Sequence, residues 1–290
     1  MSARYGTPVD PSAENNPHAY ALSMVGSGQR VLEVGCSVGH VTEHLVAAGN
    51  TVVGIELDAE AAEAARRFAA EVHVADIGRT PVGTLVPHGF EVVLLGDVLE
   101  HLPDPSATLR ELVALLTPAG RVVISVPHVA FVDVRLMLLE GTWAYQNDGL
   151  LDRTHLRWFT RDGLAALLGE AGLVATRVER VRLGPYESGL PVTRGRHSAD
   201  VIRFAMADPE AATYQFVVEA RRAGPGESVW PIEPEPAWPD LDAERAALTG
   251  QVAALTAERD ALANEVDAWR RSRLVRATAP LRALRRRLRA

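Results

Sequence analysis

The chain has 290 residues, 47% of them hydrophobic, with a formal net charge of −7 and one cysteine. That length holds one large α/β domain and something extra, and a lone cysteine excludes an internal disulfide framework. There is no apolar run of 18 residues and no signal-peptide core in MSARYGTPVDPSAENN, so a cytoplasmic protein is expected.

The charge is unevenly placed. Arg270–Ala290 carries nine Arg and no acid, which leaves the remainder at −16, nine below the chain's −7. An acidic body argues against nucleic acid as its partner and gives the basic end a separate task. Every one of the 30 basic residues is Arg, which reads as codon bias.

Residues 1–28 are polar and broken by Pro11 and Pro17; they form a lead-in with a short helix around His18–Val25. Strand-like runs follow at Val31–Val34, Thr51–Ile55, Glu71–Val74, Glu91–Leu95, Arg121–Val126, Ala175–Val181 and Tyr214–Arg221. Helical patterns lie between them at 40–48, 58–70, 105–116 and 161–171. This alternation predicts an α/β fold, a doubly wound and mainly parallel seven-stranded sheet over 29–222. The last two strands lack a crossover helix of the same kind, so they are expected as an antiparallel pair at the edge.

The stretch 223–240 is rich in Pro, Gly and Glu and reads as a semi-rigid linker. Leu241, Leu248, Leu255, Leu262 and Trp269 then recur every seven residues, with Val252 and Val266 at the complementary positions. That pattern predicts a coiled coil over 241–269, and with it a homo-oligomer; the alternative is an amphipathic helix folded back on the body. Arg245 and Arg259 interrupt the seam. In 270–290, Leu281, Leu284 and Leu288 share a helical face among arginines. Such a tail suits peripheral contact with an anionic membrane surface, or a solvated role.

The stretch VLEVGCSVGHV (31–41) joins an apolar strand to a Gly-bracketed turn and a helix. Its spacing is not G-x-G-x-x-G, which speaks against a nicotinamide dehydrogenase. Glu33 before the turn suits a ligand with an amino group or other cationic centre better than a pyrophosphate. Gly35 and Gly39 allow close backbone approach.

VLEVGCSVGHV resembles motif I of the class I S-adenosylmethionine (SAM)-dependent methyltransferases, with Ser37 where a middle glycine is common. VVGIELD, VHVADI, FEVVLLGDVLEHLPDP and LLTPAGRVVISVP match further motifs of that family in order, and the likeness covers about 15–222. The resemblance implies SAM as cofactor, with Gly35, Cys36 and Gly39 forming its turn and Cys36 having no nucleophilic role. It implies that Glu56 takes the ribose hydroxyls, with Leu57 against the adenine. Asp76 would take the adenine amino group beside Ile77, and Gly96 and Asp97 would lie near the methionine part. His18 and Tyr20 could close over the cofactor.

Methyl transfer to a hydroxyl needs a positioned base. His155 in LLDRTHLRWFT is the first candidate, with Asp152 to orient it; the other reading is a loop-organising histidine bonded to backbone. His128 is the second candidate, or a pocket wall. Trp143, Tyr145 and Trp158 offer flat faces for an acceptor, or plain packing. Asp97, Glu100 and His101 are read as a locally bonded helix start, and no metal is expected. GLLDRTHLRWFT, TYQFVVEAR and the tail resemble methyltransferases of bacterial surface-glycan pathways, which implies a sugar or glycan hydroxyl as acceptor. Alternatives are a quinone or small natural product, and a SAM-binding scaffold working through its coiled coil.

Overall fold

The computed structural model describes residues 9–232 and 241–271, in two units divided between Ala237 and Trp238. The basic tail expected to face a membrane surface, and residues 233–240 of the linker, lie outside the described residues. Among the described residues no helix is long and apolar enough to cross a membrane.

The first unit is built on β1 (Arg30–Val34), β2 (Thr51–Glu56), β3 (Glu71–Val74), β4 (Phe90–Gly96), β5 (Leu116–Pro127), β6 (Leu173–Arg182) and β7 (Thr213–Arg222). They form one sheet in the order β3-β2-β1-β4-β5-β7-β6. The first five strands pair in parallel; β7 runs antiparallel to both β5 and β6. The expected seven-stranded, mainly parallel sheet is present, and β7 enters between β5 and β6 rather than beyond them.

The strands read as continuous apolar runs because both faces are covered. One face packs Leu32, Val34, Val93, Leu95 and Ile124 under α4 (Pro105–Ala114) and α6 (Arg161–Glu170). The other packs Val31, Val52, Val92 and Val123 under α1 (Pro17–Val25) and α2 (His40–Ala47). Asp104 and Thr160 cap α4 and α6, accepting from Ala107 N and Gly163 N.

The helix expected over 58–70 is shorter, α3 (Ala59–Ala65). The chain must leave it early because Ala70 N–H bonds the Val52 carbonyl (2.9 Å) to start β3 in register. Two helices went unforeseen, α5 (Val132–Leu139) and α7 (Ala199–Ala205). The first stretch of the linker is not free: Val229, Trp230 and Ile232 pack against the core, and Ala175 N–H bonds the Val229 carbonyl.

The second unit is α8 (Leu241–Arg271), a single helix. Helical backbone covers the heptads, but one helix alone is not a coiled coil.

Candidate functional site

Strand order reverses beside β1, whose neighbours β2 and β4 lead to opposite halves of the sheet. Ligands of open α/β sheets bind at that point, beyond the carboxyl ends of the strands. The turn after β1 meets both requirements for close approach. Gly35 has φ +73°, and a Cβ there would lie 2.8 Å from Val98 Cγ2 on the β4 exit. Gly39, φ +90°, heads α2 against Phe68 and Ala65. Ser37 takes φ +48° without being glycine, a conformation held in place from outside: its N–H donates to Glu56 Oε2 (2.8 Å). Glu56 Oε1 accepts from Asp58 N (2.9 Å). Glu56 therefore pins the turn while its carboxylate sits at the end of β2.

Glu33 is buried and accepts from Thr42 Oγ1 (2.6 Å). Burial pushes its carboxyl from 4.5 up to about 7, with the Glu56 charge adding and the Thr42 bond opposing. Cys36 is buried against Ala62, Ala65 and Val72. Burial and the two carboxylates raise its thiol, so its side chain is inert packing and only its backbone faces the turn. Along the rim Leu57 is 67% exposed. Asp76 is part-exposed and accepts from Gly78 N (2.9 Å), and Ile77 packs partly on the core. Gly96 is exposed, with nothing within 4 Å of where a Cβ would be. The strand ends thus offer a cationic-group acceptor (Glu33), a rim carboxylate (Glu56), an apolar shelf (Leu57) and a second acid (Asp76) beside an open edge. This donor set fits a nucleoside bearing a positive charge.

At the β4 exit Asp97 adopts φ +53°. Its Oδ1 accepts from Gln215 Nε2 (2.6 Å) and Ser125 Oγ (3.2 Å), and burial raises its carboxyl. Glu100 is buried with neither carboxylate oxygen hydrogen-bonded. Burial, then the Asp97 charge, lifts it well above the usual range. Its backbone carbonyl accepts from Leu156 N (2.7 Å) and Arg157 N (3.0 Å), tying the β4 exit to the loop that carries His155.

His155 is buried and its Nδ1 bonds the Leu150 carbonyl (3.0 Å). A carbonyl only accepts, so Nδ1 carries the proton and the neutral ring keeps its lone pair on Nε2. Burial, then His101, lowers its pKa from 6.5. His101 packs edge-on against it, ring centroids 4.8 Å apart. Glu100, His101 and His155 each bring a donor atom within 4.8 Å of the others, a grouping that sequence separation hid. Asp152, whose charge raises the pKa of His155 against the effect of burial, also shapes the loop. Its Oδ1 accepts from Thr154 N and Thr154 Oγ1 (2.7 Å each).

His128 stands apart from this group. Its Nδ1 bonds the Thr213 carbonyl (2.9 Å), and it lines a cleft of about 330 Å³ with Arg161, Asp162, Asp208 and Glu210, which His155 does not line. Burial lowers its pKa. Trp143 stacks edge-on with Trp158 (5.7 Å) and Tyr145 (6.2 Å), and Tyr145 and Trp158 remain exposed. Tyr20 packs partly on the core and His18 is half-buried at the start of α1.

Thr42, Ser125 and Gln215 escaped the sequence reading. Gln215 had a signal, a buried polar residue inside the apolar run TYQFVV.

Fold and rim together define a doubly wound domain whose switch point is lined by acidic groups suited to a cationic nucleoside. Residues 10–178 match a family model described as a methyltransferase domain, and the chain belongs to that family. Its cofactor is SAM. The chain is 36% identical over 130 residues to the ubiquinone biosynthesis O-methyltransferase of Bordetella bronchiseptica, covering 40% of this chain and 54% of that protein. It is 26% identical over 162 residues to the protein of that name from Aeromonas salmonicida, covering 54% and 68%. The chain spans about half the length of such curated relatives. A putative methyltransferase from Bacillus halodurans superposes with a TM-score of 0.52 at 15% identity, over 71% of this chain and 99% of that one; that likeness speaks to the fold alone.

Proposed function

We propose that this protein is an O-methyltransferase acting on a hydroxyl of a small cyclic acceptor of the quinol type. Bound at the rim, SAM supplies an electrophilic methyl group carried on a sulfonium. Glu33, Glu56 and Asp76 hold the cofactor, and the Gly35 turn lets backbone lie against it. His155 Nε2 removes the proton of the acceptor hydroxyl. The observation that carries this reading is the His155 ring itself: Nδ1 is committed to the Leu150 carbonyl, and burial keeps the imidazole neutral near pH 7. Trp143, Tyr145 and Trp158 supply flat faces against which an aromatic ring can stack.

The names of the curated relatives favour a quinol over the sugar hydroxyl that the glycan-pathway resemblance implies. Transfer of labelled methyl from SAM to catechol-type acceptors and to nucleotide sugars separates the two. Label on the catechol oxygen supports the proposal; label only on the sugar, or none when SAM binds, refutes it.

A further inference from the structure

The second unit carries an exposed apolar stripe. In α8, Val252, Leu255, Leu262 and Val266 are 63%, 65%, 55% and 47% exposed. With Arg259 they follow a 3-4-3-4 spacing along one face, the seam of a left-handed two-stranded coil. The rest of the described surface is Ala, Thr, Gly, Gln, Asn and charge, so the helix has one apolar side.

We propose that the occupant of this seam is α8 of a second copy of the chain, lying parallel and in register. Charge decides the partner and its direction. Arg259 interrupts the seam, and its own-chain contact is an ion pair with neighbouring Asp260 (2.7 Å), both side chains largely exposed. Such a pair is worth little. In a parallel dimer a seam residue at this position packs beside the partner's residue one place earlier in sequence. That residue is Glu258. Two symmetric Arg259–Glu258 pairs then cover the polar break, a device that fixes register and strand number at some cost in stability. The antiparallel arrangement fails on the same residues. It would face the flank of Gln251, Glu258 and Glu265 with the same flank reversed, setting Glu258 of one copy against Glu258 of the other when the two helices are centred there. Folding back onto the acidic body leaves those glutamates in like-charged surroundings.

The test uses the full chain. Sedimentation equilibrium at micromolar concentration should give twice 31.3 kDa, and Leu255→Asp with Leu262→Asp should give the monomer. Glu258→Arg alone and Arg259→Glu alone should each weaken the dimer about tenfold or more by placing like charges together, and the double swap should restore it to within about threefold. Leu255→Cys and Leu262→Cys should each form a same-residue disulfide on air oxidation. The two positions are about 10 Å apart along the helix, so an antiparallel pair could cross-link at only one. A monomeric wild type overturns the proposal, whether the helix folds back or binds anionic vesicles alone. So does a dimer indifferent to the paired Asp substitutions, a trimer, or a double swap that stays as weak as the singles.

Discussion

With Glu33 holding SAM as proposed, its carboxyl would link cofactor binding to the stability of the fold. Its pKa rises from 4.5 to about 7 on folding, so its effect on stability has a definite sign. An acid whose folded pKa is raised favours the folded state fully below its ordinary value, and that advantage is lost as pH climbs from 4.5 through 7. At 1.36 kcal/mol per pH unit, the ionised carboxylate costs the ligand-free fold about 3 kcal/mol above pH 7. Glu33→Gln keeps an oxygen for Thr42 Oγ1 and abolishes the charge. Urea unfolding of both proteins across pH 4 to 8.5 should show near equality at the acid end and a variant more stable by about 3 kcal/mol at the alkaline end. The difference between the two curves isolates Glu33 from Asp97 and Glu100, which shift the same way in both. The variant should bind SAM at least about tenfold more weakly, because a neutral amide cannot offset a cation. Wild-type binding near pH 6.5 should release protons, seen as a buffer-dependent enthalpy that the variant lacks. Parallel unfolding curves, or unchanged SAM affinity, would refute the reasoning.

His155→Ala should lower turnover by roughly 10²-fold with SAM affinity unchanged, as calorimetry and kinetics together will show. Because only the neutral ring accepts a proton, wild-type kcat should rise with pH through an inflection below 6.5 and plateau at neutrality. Gly35→Ala forces a Cβ to 2.8 Å from Val98 Cγ2 at φ +73°; a loss of about 1–3 kcal/mol in denaturant unfolding is expected, with weakened SAM binding. Gln215→Leu removes a 2.6 Å donor from Asp97 and should cost about 1.5–3 kcal/mol. It should reduce turnover more than SAM affinity, a split read from kcat against the cofactor Kd.

What the sequence disclosed follows the range of its physical signals. Parallel strands covered on both faces leave short, β-branched apolar runs bounded by turn residues, so β1 to β5 and their order of appearance were readable. The turn was readable because Gly35 and Gly39 answer a local backbone demand. Pairings between distant segments left no such mark. Nothing in LLDRTHL says that the Leu150 carbonyl takes His155 Nδ1, since that bond depends on how the loop folds back on itself. Glu100 and His155 are 55 residues apart in numbering and meet only because the Glu100 carbonyl receives Leu156 and Arg157. The short helices α5 and α7 lacked the sustained periodicity that makes longer ones legible.

The reversed strand explains how the two halves of the site are joined. In β1 to β5 only the carboxyl ends reach the rim, and those ends carry the residues proposed to hold the cofactor. Because β7 runs the other way, its first residues lie at that same rim, beside the ends of β5. Thr213 accepts from His128 through its carbonyl. The Tyr214 hydroxyl accepts from Leu150 N (3.2 Å), the residue whose carbonyl fixes His155, and Gln215 holds Asp97. Three consecutive residues thus brace the β5 exit, the His155 loop and the strained β4 exit. Had β7 been parallel, its carboxyl end, Glu219 to Arg222, would stand there instead. Its starting residues would lie at the opposite edge of the sheet. The antiparallel insertion therefore lets one strand support both the proposed cofactor side, through Gln215 and Asp97, and the proposed acceptor side, and substitutions at 213 and 214 should disturb the acceptor side before they disturb SAM.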